Sequence, residues 1–373
     1  MPMRALLALV AGLCAFVFTA LAVSMALRQS WGGALILAAL AALCLPATGR
    51  LVTRATGLPF PPLARAGTFL IFAGLLLWWL SGAPRTSIYN SPAVAAEFER
   101  LYAEKLAAWP VPHESRFLDT SLGRVHVIVS GPEEAPPMLL LHAAAVSSWS
   151  WRYNIEALSR DWRVYAIDLI GDAGRSAYAN LGKRMHTPSD QADHYVEVMG
   201  LLGIGRAAVV GASEGGFIAL NLARAHPGRV ERLVLLGPMG LTSPMGTAAR
   251  ITLAQLFPVA PLPTATFRWA YSQDAGLQAD FAEWFPLVMS GTLPAKVAPW
   301  PLGAEARRAM SQPMLFVFGT RDNVVGDPEV ARAQVAEIPN ARVEVVEAGH
   351  LMAAEVPEEI DALILGFLAE SGH

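Results

Sequence analysis

The fold turns on the stretch Ala207-Ala208-Val209-Val210-Gly211-Ala212-Ser213-Glu214-Gly215-Gly216-Phe217-Ile218-Ala219-Leu220. Ala207–Gly211 is a short continuous apolar run and reads as a buried strand. Gly215–Ala225 reads as a helix. A serine between the two sits on a sharp strand-to-helix turn with its hydroxyl exposed. Glycines at 211 and 215 suit a strained turn that leaves no room for side chains two residues either side. Gly216 adds room for the helix to pack closely on the sheet. At the helix N-terminus the aligned peptide dipoles favour developing negative charge.

Outward from this turn, strand-like runs alternate with amphipathic stretches. The strand candidates are Arg124–Ser130, Met138–His142, Arg163–Asp168, Ala207–Gly211, Arg232–Leu236, Met314–Phe318 and Arg342–Val346. Helix candidates between them are Trp149–Ser159, Pro188–Leu202, Gly215–Ala225, Pro328–Ala336 and Pro357–Ala369. Such alternation implies an α/β architecture, a mostly parallel sheet with helices on both faces. Active sites of such sheets form at the carboxyl ends of the strands. One stretch, residues 242–308, interrupts the alternation and is rich in aromatics: Phe257, Phe267, Trp269, Phe281, Trp284, Phe285 and Trp300. A span this long is unsuited to a bare loop, and reads as a helical cap over the strand ends.

A serine hydroxyl is a weak nucleophile until a base takes its proton. Of eight histidines, His350 follows the last strand candidate in Glu347-Ala348-Gly349-His350, the strand-end position that chemistry needs. The others read as structural. His226 sits at a helix end, His186 and His194 border or lie on a polar helix face, and His113 lies in a linker. His126 is within a strand, His142 stabilises a turn, and His373 is the last residue. The base needs an acid to orient it, and Asp322 follows a strand in Phe318-Gly319-Thr320-Arg321-Asp322. The competing turn, Gly237-Pro238-Met239-Gly240, holds no acid, and Asp327 reads as the N-cap of the next helix. An oxyanion formed on attack needs backbone N–H donors. The expected donors are Glu214, directly after the nucleophile, and Ala144, in the turn His142-Ala143-Ala144-Ala145.

The N-terminal part differs in composition. Of the 373 residues 54% are hydrophobic, and the net charge is −3. No acid precedes Glu97, while Arg4, Arg28, Arg50, Arg54, Arg65 and Arg85 do, so the first 96 residues carry +6 and the rest −9. Nothing in this balance points to nucleic acid. Ala5–Leu27 is an uninterrupted apolar run of membrane-spanning length, and shorter runs follow. The expectation is a transmembrane anchor at 1–85, with spans near 5–27, 31–47 and 67–83. A linker helix at 86–113 and a catalytic domain at 114–373, with its cap at about 242–308, would follow. Arginine placement puts the C-terminal part outside the cytoplasm by the positive-inside rule. The first span also fits a cleaved signal peptide. Cys14 and Cys44 both lie in apolar runs, so the rest of the chain has neither a disulfide framework nor a cysteine-based metal site.

From about Glu114 to Phe367 the chain resembles the α/β-hydrolase superfamily. Within it, Tyr165-Ala166-Ile167-Asp168-Leu169-Ile170-Gly171-Asp172 and Leu140-Leu141-His142 resemble bacterial carboxylesterases of the naproxen-esterase-like group. The resemblance implies a Ser–Asp–His triad, which falls on Ser213, Asp322 and His350. Two departures stand out. The usual His-Gly of the oxyanion turn is His142-Ala143 here; if that residue takes φ > 0, alanine costs about 1–2 kcal/mol. Asp172 stands where many relatives have a histidine.

The expected activity is hydrolysis of carboxylic esters through an acyl-enzyme, with no metal and no organic cofactor. The aromatic cap and membrane tether suggest an apolar or lipid-like small-molecule substrate. The same triad also serves acyl transfer, thioester or amide cleavage and carbon–carbon bond hydrolysis. A non-catalytic, membrane-bound ligand-binding protein is a third reading, whose mark would be a missing triad member; all three are present.

Overall fold

The computed structural model describes residues 15, 18–19, 22, 31–44, 87–241, 261–299 and 301–370. The chain divides into two compact units, Met1–Pro84 with Leu253–Val259, and Arg85–Thr252 with Ala260–His373. In the first unit the described helix is Trp31–Cys44, 14 residues. Among the described residues no helix is long and apolar enough to cross a membrane. The spans expected near 5–27 and 67–83 lie almost wholly outside the described residues.

The second unit is built on one nine-stranded sheet. Its strands are β1 (His113–Asp119), β2 (Gly123–Ser130), β3 (Pro137–Leu141), β4 (Arg163–Ile167), β5 (Ala177–Tyr178), β6 (Ala207–Ala212), β7 (Val230–Leu236), β8 (Met314–Gly319) and β9 (Ala341–Val346). The order is β1-β2-β4-β3-β6-β7-β8-β9, with β5 beside β2. From β4 to β9 all neighbours are parallel, whereas β2 runs antiparallel to both β1 and β4. The central strands β3, β6 and β8 are buried almost throughout. That matches their unbroken apolar sequences, since a strand covered on both faces shows no alternation. Of the two strands not expected, β5 has only two residues, and β1 is an edge strand whose residues are exposed or half-buried, so its sequence carries no apolar run.

Helices flanking the sheet are α1 (Pro92–Ala107), α2 (Pro188–Leu201), α3 (Glu214–Ala225), α4 (Leu262–Ala270), α5 (Ala275–Asp280), α6 (Trp284–Gly291), α7 (Pro328–Val335) and α8 (Pro357–Ala369). The helix expected as a linker, α1, is a packed part of this unit. Ser91 caps it, accepting from the Val94 amide, and Pro92 occupies its first turn, a placement that sacrifices no intrahelical hydrogen bond. Its buried face, Phe98, Leu101, Tyr102 and Leu106, meets the helices between β7 and β8. The Phe98 and Trp284 rings lie 4.5 Å apart, and Lys105 Nζ donates to Asp280 Oδ1 at 2.8 Å.

Most of the cap aromatics pack on one another. Phe267, Phe281, Trp284 and Phe285 are all buried, with Phe267 and Phe285 5.1 Å from Phe281 and Phe267 respectively, and Trp149 4.9 Å from Phe281. Much of the apolar surface expected to meet a substrate is therefore spent on holding α4–α6 together. Phe257 and Trp300 lie outside the described residues.

His194 is a second departure. It was expected on a polar face of α2, but it is 3% exposed, and neither ring nitrogen has a hydrogen-bond partner. Burial pushes its pKa down to about 4, although the nearby Glu197 opposes this. The unfolded chain takes up a proton as pH falls below about 6.5 while the folded one resists until about 4, so this residue destabilises the fold across that window. We expect His194→Leu to raise stability by about 1 kcal/mol at pH 7, because it removes two unpaired polar atoms. It should also flatten the loss between pH 6.5 and 4. Urea titrations of both proteins at pH 7 and pH 4.5 measure this; an unchanged pH slope would contradict it.

Candidate active site

The turn after β6 has the geometry its glycines imply. A Cβ on Gly211 would stand 2.5 Å from the Gly215 carbonyl oxygen, and one on Gly215 would stand 2.1 Å from the Leu141 oxygen. The start of α3 is thereby pressed against the end of β3, where the Gly215 amide donates to the His142 oxygen at 3.1 Å. Ser213, the N-cap of α3, is forced to φ 52° and ψ −109°. A non-glycine residue in such a region costs of order 1–3 kcal/mol and persists only where its surroundings over-determine it. Here the Ser213 amide donates to Leu236, and its carbonyl accepts from Phe217 and Met239.

His350 follows β9 and Asp322 follows β8. The three side chains form one hydrogen-bonded line: His350 Nε2 lies 2.8 Å from Ser213 Oγ, and His350 Nδ1 lies 2.8 Å from Asp322 Oδ2. The other oxygen of Asp322 accepts from the Val324 and Val325 amides at 2.8 and 3.0 Å, which orients the carboxylate. Gly237, at the end of β7 with φ +51°, leaves the space for it, since a Cβ there would stand 2.9 Å from Asp322 Oδ2. The loop carrying His350 is tied by the Gly349 amide to Glu355 Oε2 and by the Leu351 amide to the Tyr271 oxygen. The Tyr271 ring stands edge-on to His350, 5.9 Å away. All three aligned groups are at most 5% exposed.

The turn after β3 supplies the facing wall. His142 is wholly buried; its Nε2 accepts from the Leu169 amide at 3.0 Å, and its Nδ1 lies 2.7 Å from the Ala143 oxygen. These partners require a neutral ring with the proton on Nδ1. Burial pushes its pKa down in the same sense. His142 thus acts as a turn-stabilising group. Ala143 does not take a positive φ, whereas Ala145 does, with φ 63°. That residue is pinned from both sides: its amide donates to Asp172 Oδ2 at 2.8 Å, and its carbonyl accepts from Trp284 Nε1 at 2.9 Å. Among the described residues neither the Ala144 nor the Glu214 amide donates to a protein acceptor. Both therefore keep their capacity for a developing oxyanion.

Buried charge frames this turn. Asp168, after β4, accepts from Ser147 Oγ, the Ser148 amide and hydroxyl, the Arg175 amide and His126 Nδ1. Burial alone would raise its pKa, but these hydrogen bonds and the neighbouring imidazoles hold it well below the usual carboxylate range. Lys296 escaped sequence reading as a member of the site, and so did what the side chains of Asp172 and Glu214 do. Asp172, Glu214 and Lys296 come together, with Lys296 Nζ 2.6 Å from Glu214 Oε2 and 3.5 Å from Asp172 Oδ2. Lys296 lies in the cap region, far in sequence from both acids, and a single lysine there carries no motif. Between the turn and His350 lies a cavity of about 30 Å³ lined by Val146, Trp151, Phe281, Met352 and others. That is enough for a water or two among the described residues.

Ala145 generates a direct expectation. Glycine adopts its conformation without Cβ strain and keeps both backbone hydrogen bonds, so Ala145→Gly should stabilise the protein. The net gain is about 0.5–1 kcal/mol after the larger entropy of the unfolded chain is deducted. Urea unfolding checks this, and a net loss of stability would mean that the residue is not strained.

Comparison with known proteins agrees with this architecture. Residues 138–363 match the model of the Alpha/beta hydrolase family. Over 297 residues the chain is 29% identical to the uncharacterized carboxylesterase nap of Bacillus subtilis (strain 168), covering 74% of this chain and 93% of that protein. It is 30% identical over 260 residues to 2-hydroxymuconate semialdehyde hydrolase of Pseudomonas putida, covering 64% of this chain and 89% of that one. The crystal structure of naproxen esterase from Bacillus subtilis superposes with a TM-score of 0.68 at 28% identity, covering 74% of this chain and 98% of that one. With a family match over residues 138–363 on a mostly parallel sheet that carries the strand–serine–helix turn, the chain belongs to the alpha/beta hydrolase family.

Proposed function

We propose that the protein is a serine hydrolase that cleaves carboxylic esters, with Ser213 as nucleophile, His350 as base and acid, and Asp322 as the orienting carboxylate. The observation that carries the reading is the unbroken line Asp322–His350–Ser213, with both links at 2.8 Å. In this reading Ser213 Oγ attacks the ester carbonyl as His350 Nε2 takes its proton. The carbonyl oxygen gains negative charge and is held by the Ala144 and Glu214 amides. His350 then protonates the departing alkoxide, leaving an acyl-serine. Water, deprotonated by the same imidazole, attacks the acyl carbon, and Ser213 leaves with the proton returned from His350. Asp322 keeps the Nδ1 proton in place and stabilises the imidazolium.

The carboxylesterases among the similar proteins support an ester as substrate. The apolar lining of the cavity beside His350, from Val146, Trp151, Phe281 and Met352, supports an apolar acyl or alcohol group. The likeness to 2-hydroxymuconate semialdehyde hydrolase keeps carbon–carbon bond hydrolysis as a second reading on the same three residues.

Membrane attachment belongs to the proposal as well. It rests on the sequence: an apolar run over 5–27 without a charged residue and a +6 balance before Glu97. The catalytic domain would then lie on the extracytoplasmic side, near lipid-like esters.

Turnover of p-nitrophenyl esters by the full-length protein tests the reaction. Ser213→Ala should lose activity by about 10⁵-fold or more, together with labelling by a fluorophosphonate. A rate that depends on acyl length is expected, and a flat profile would remove the apolar preference. Faster turnover of a meta-cleavage product than of any ester would favour the second reading. The full-length protein should sediment with membranes and be released by detergent but not by alkaline carbonate. Release by carbonate would exclude an integral anchor.

A further inference from the structure

We propose that Lys296 is a positioning residue for the oxyanion hole, its ammonium tying the serine elbow to the turn after β3. This role rests on the esterase reading above. The two halves of the hole come from different parts of the chain: Glu214 heads α3, and Ala144 lies in the turn that ends at Ala145. Each half presents a buried carboxylate to the same cation. On the elbow side, Glu214 Oε2 accepts from Lys296 Nζ at 2.6 Å. On the turn side, Asp172 Oδ2 lies 3.5 Å from that ammonium and accepts from the Ala145 amide at 2.8 Å. Asp172 Oδ1 also accepts from the Ala173 amide at 2.7 Å, so its carboxylate is held on both oxygens. A continuous path of polar contacts thus runs from the residue after the nucleophile, through Lys296 and Asp172, to the strained alanine next to the second oxyanion donor.

The lysine is itself docked. Ala295 donates its amide to the Gly171 oxygen at 2.8 Å, and Gly171 has φ +87° with no room for a Cβ, which would stand 2.2 Å from the Ala295 oxygen. The backbone on either side of Asp172 and Lys296 is therefore in register before the side chains meet. Asp172 and Glu214 are 0% and 5% exposed, and two buried acids this close repel when both are ionised. Burial, with Asp172 adding to it and Lys296 opposing it, leaves the Glu214 carboxyl pushed up to about 7. Burial opposes the charge on Lys296, but the two carboxylates more than offset this and raise its pKa. The cation thus persists at working pH and stays in contact with both side chains, joining the elbow to the turn.

Oxyanion donors act over a narrow range of distance, about 2.7–3.1 Å, so a small displacement of either half weakens the transition state more than the bound ester. Lys296→Met should lower kcat about 10–100-fold with KM changed by less than about twofold. The Ki of phenylboronic acid, whose tetrahedral adduct places an oxygen in the hole, should rise in step. Lys296→Arg keeps the cation and should recover kcat to within about threefold of the original. Active-site titration by the burst of p-nitrophenol from p-nitrophenyl butyrate puts all rates on a per-site basis, which separates displacement from partial unfolding. An unchanged per-site kcat in Lys296→Met would overturn the role, as would a KM effect alone or a loss that arginine does not restore. A wild-type protein with no burst and no fluorophosphonate labelling would instead bring down the esterase reading, and this role with it.

Discussion

The structure depends on a steric constraint: there is no space for a side chain between the start of α3 and the ends of β3 and β6. Gly215 faces the Leu141 carbonyl and Gly211 faces Gly215 at distances no Cβ tolerates. The close approach has three consequences. It forces Ser213 out of ordinary backbone space, so that the hydroxyl stands clear of the sheet. It sets the first turn of α3 beside the turn after β3, where the Gly215 amide bonds the His142 carbonyl. It also brings Glu214, immediately after Ser213, within range of groups from two other segments. A larger residue at either glycine would push the helix outward and dissolve all three relationships together.

The second layer of organisation is electrostatic. Among the described residues four buried carboxylates surround the site, and they are partnered in three ways. Asp322 receives two backbone amides on one oxygen and the imidazole on the other. Asp168 gathers hydroxyls, amides and His126, and so joins β2 and β4 to the Ser147–Ser148 segment. Asp172 and Glu214 share the ammonium of Lys296. Buried charges are tolerated where they are paired and hydrogen-bonded, and here the pairing also spans elements that must keep fixed distances. Stability and geometry are served by the same contacts.

The helices between β7 and β8, together with α1, form a layer that touches the site. Their aromatic rings make a small core of their own, in which Trp284 also reaches Ala145 through its indole N–H. The Tyr271 backbone and ring meet the loop that carries His350. The layer therefore braces the turn after β3 and the loop that carries His350, with a small apolar cavity beside them among the described residues.

The sequence by itself determined the strand–turn–helix at 207–225, the alternation of strands with helices along the chain, and the places of Ser213, Asp322 and His350 just past strand ends. Each of these is written locally: an unbroken apolar run, a pair of glycines, a polar residue just past a strand. Edge strand β1 escaped because an exposed strand has no apolar run, and α1 was taken for a linker because its amphipathic face names no partner. His194 was misjudged, and the conformation of Ala145 went unforeseen, for a related reason, since burial and left-handed backbone depend on what surrounds a residue rather than on its neighbours in sequence. Only the tertiary structure decided that Asp172, Glu214 and Lys296 meet. Their encounter joins positions up to 124 residues apart, and a charge pair closed across such a distance leaves no periodicity or spacing to read.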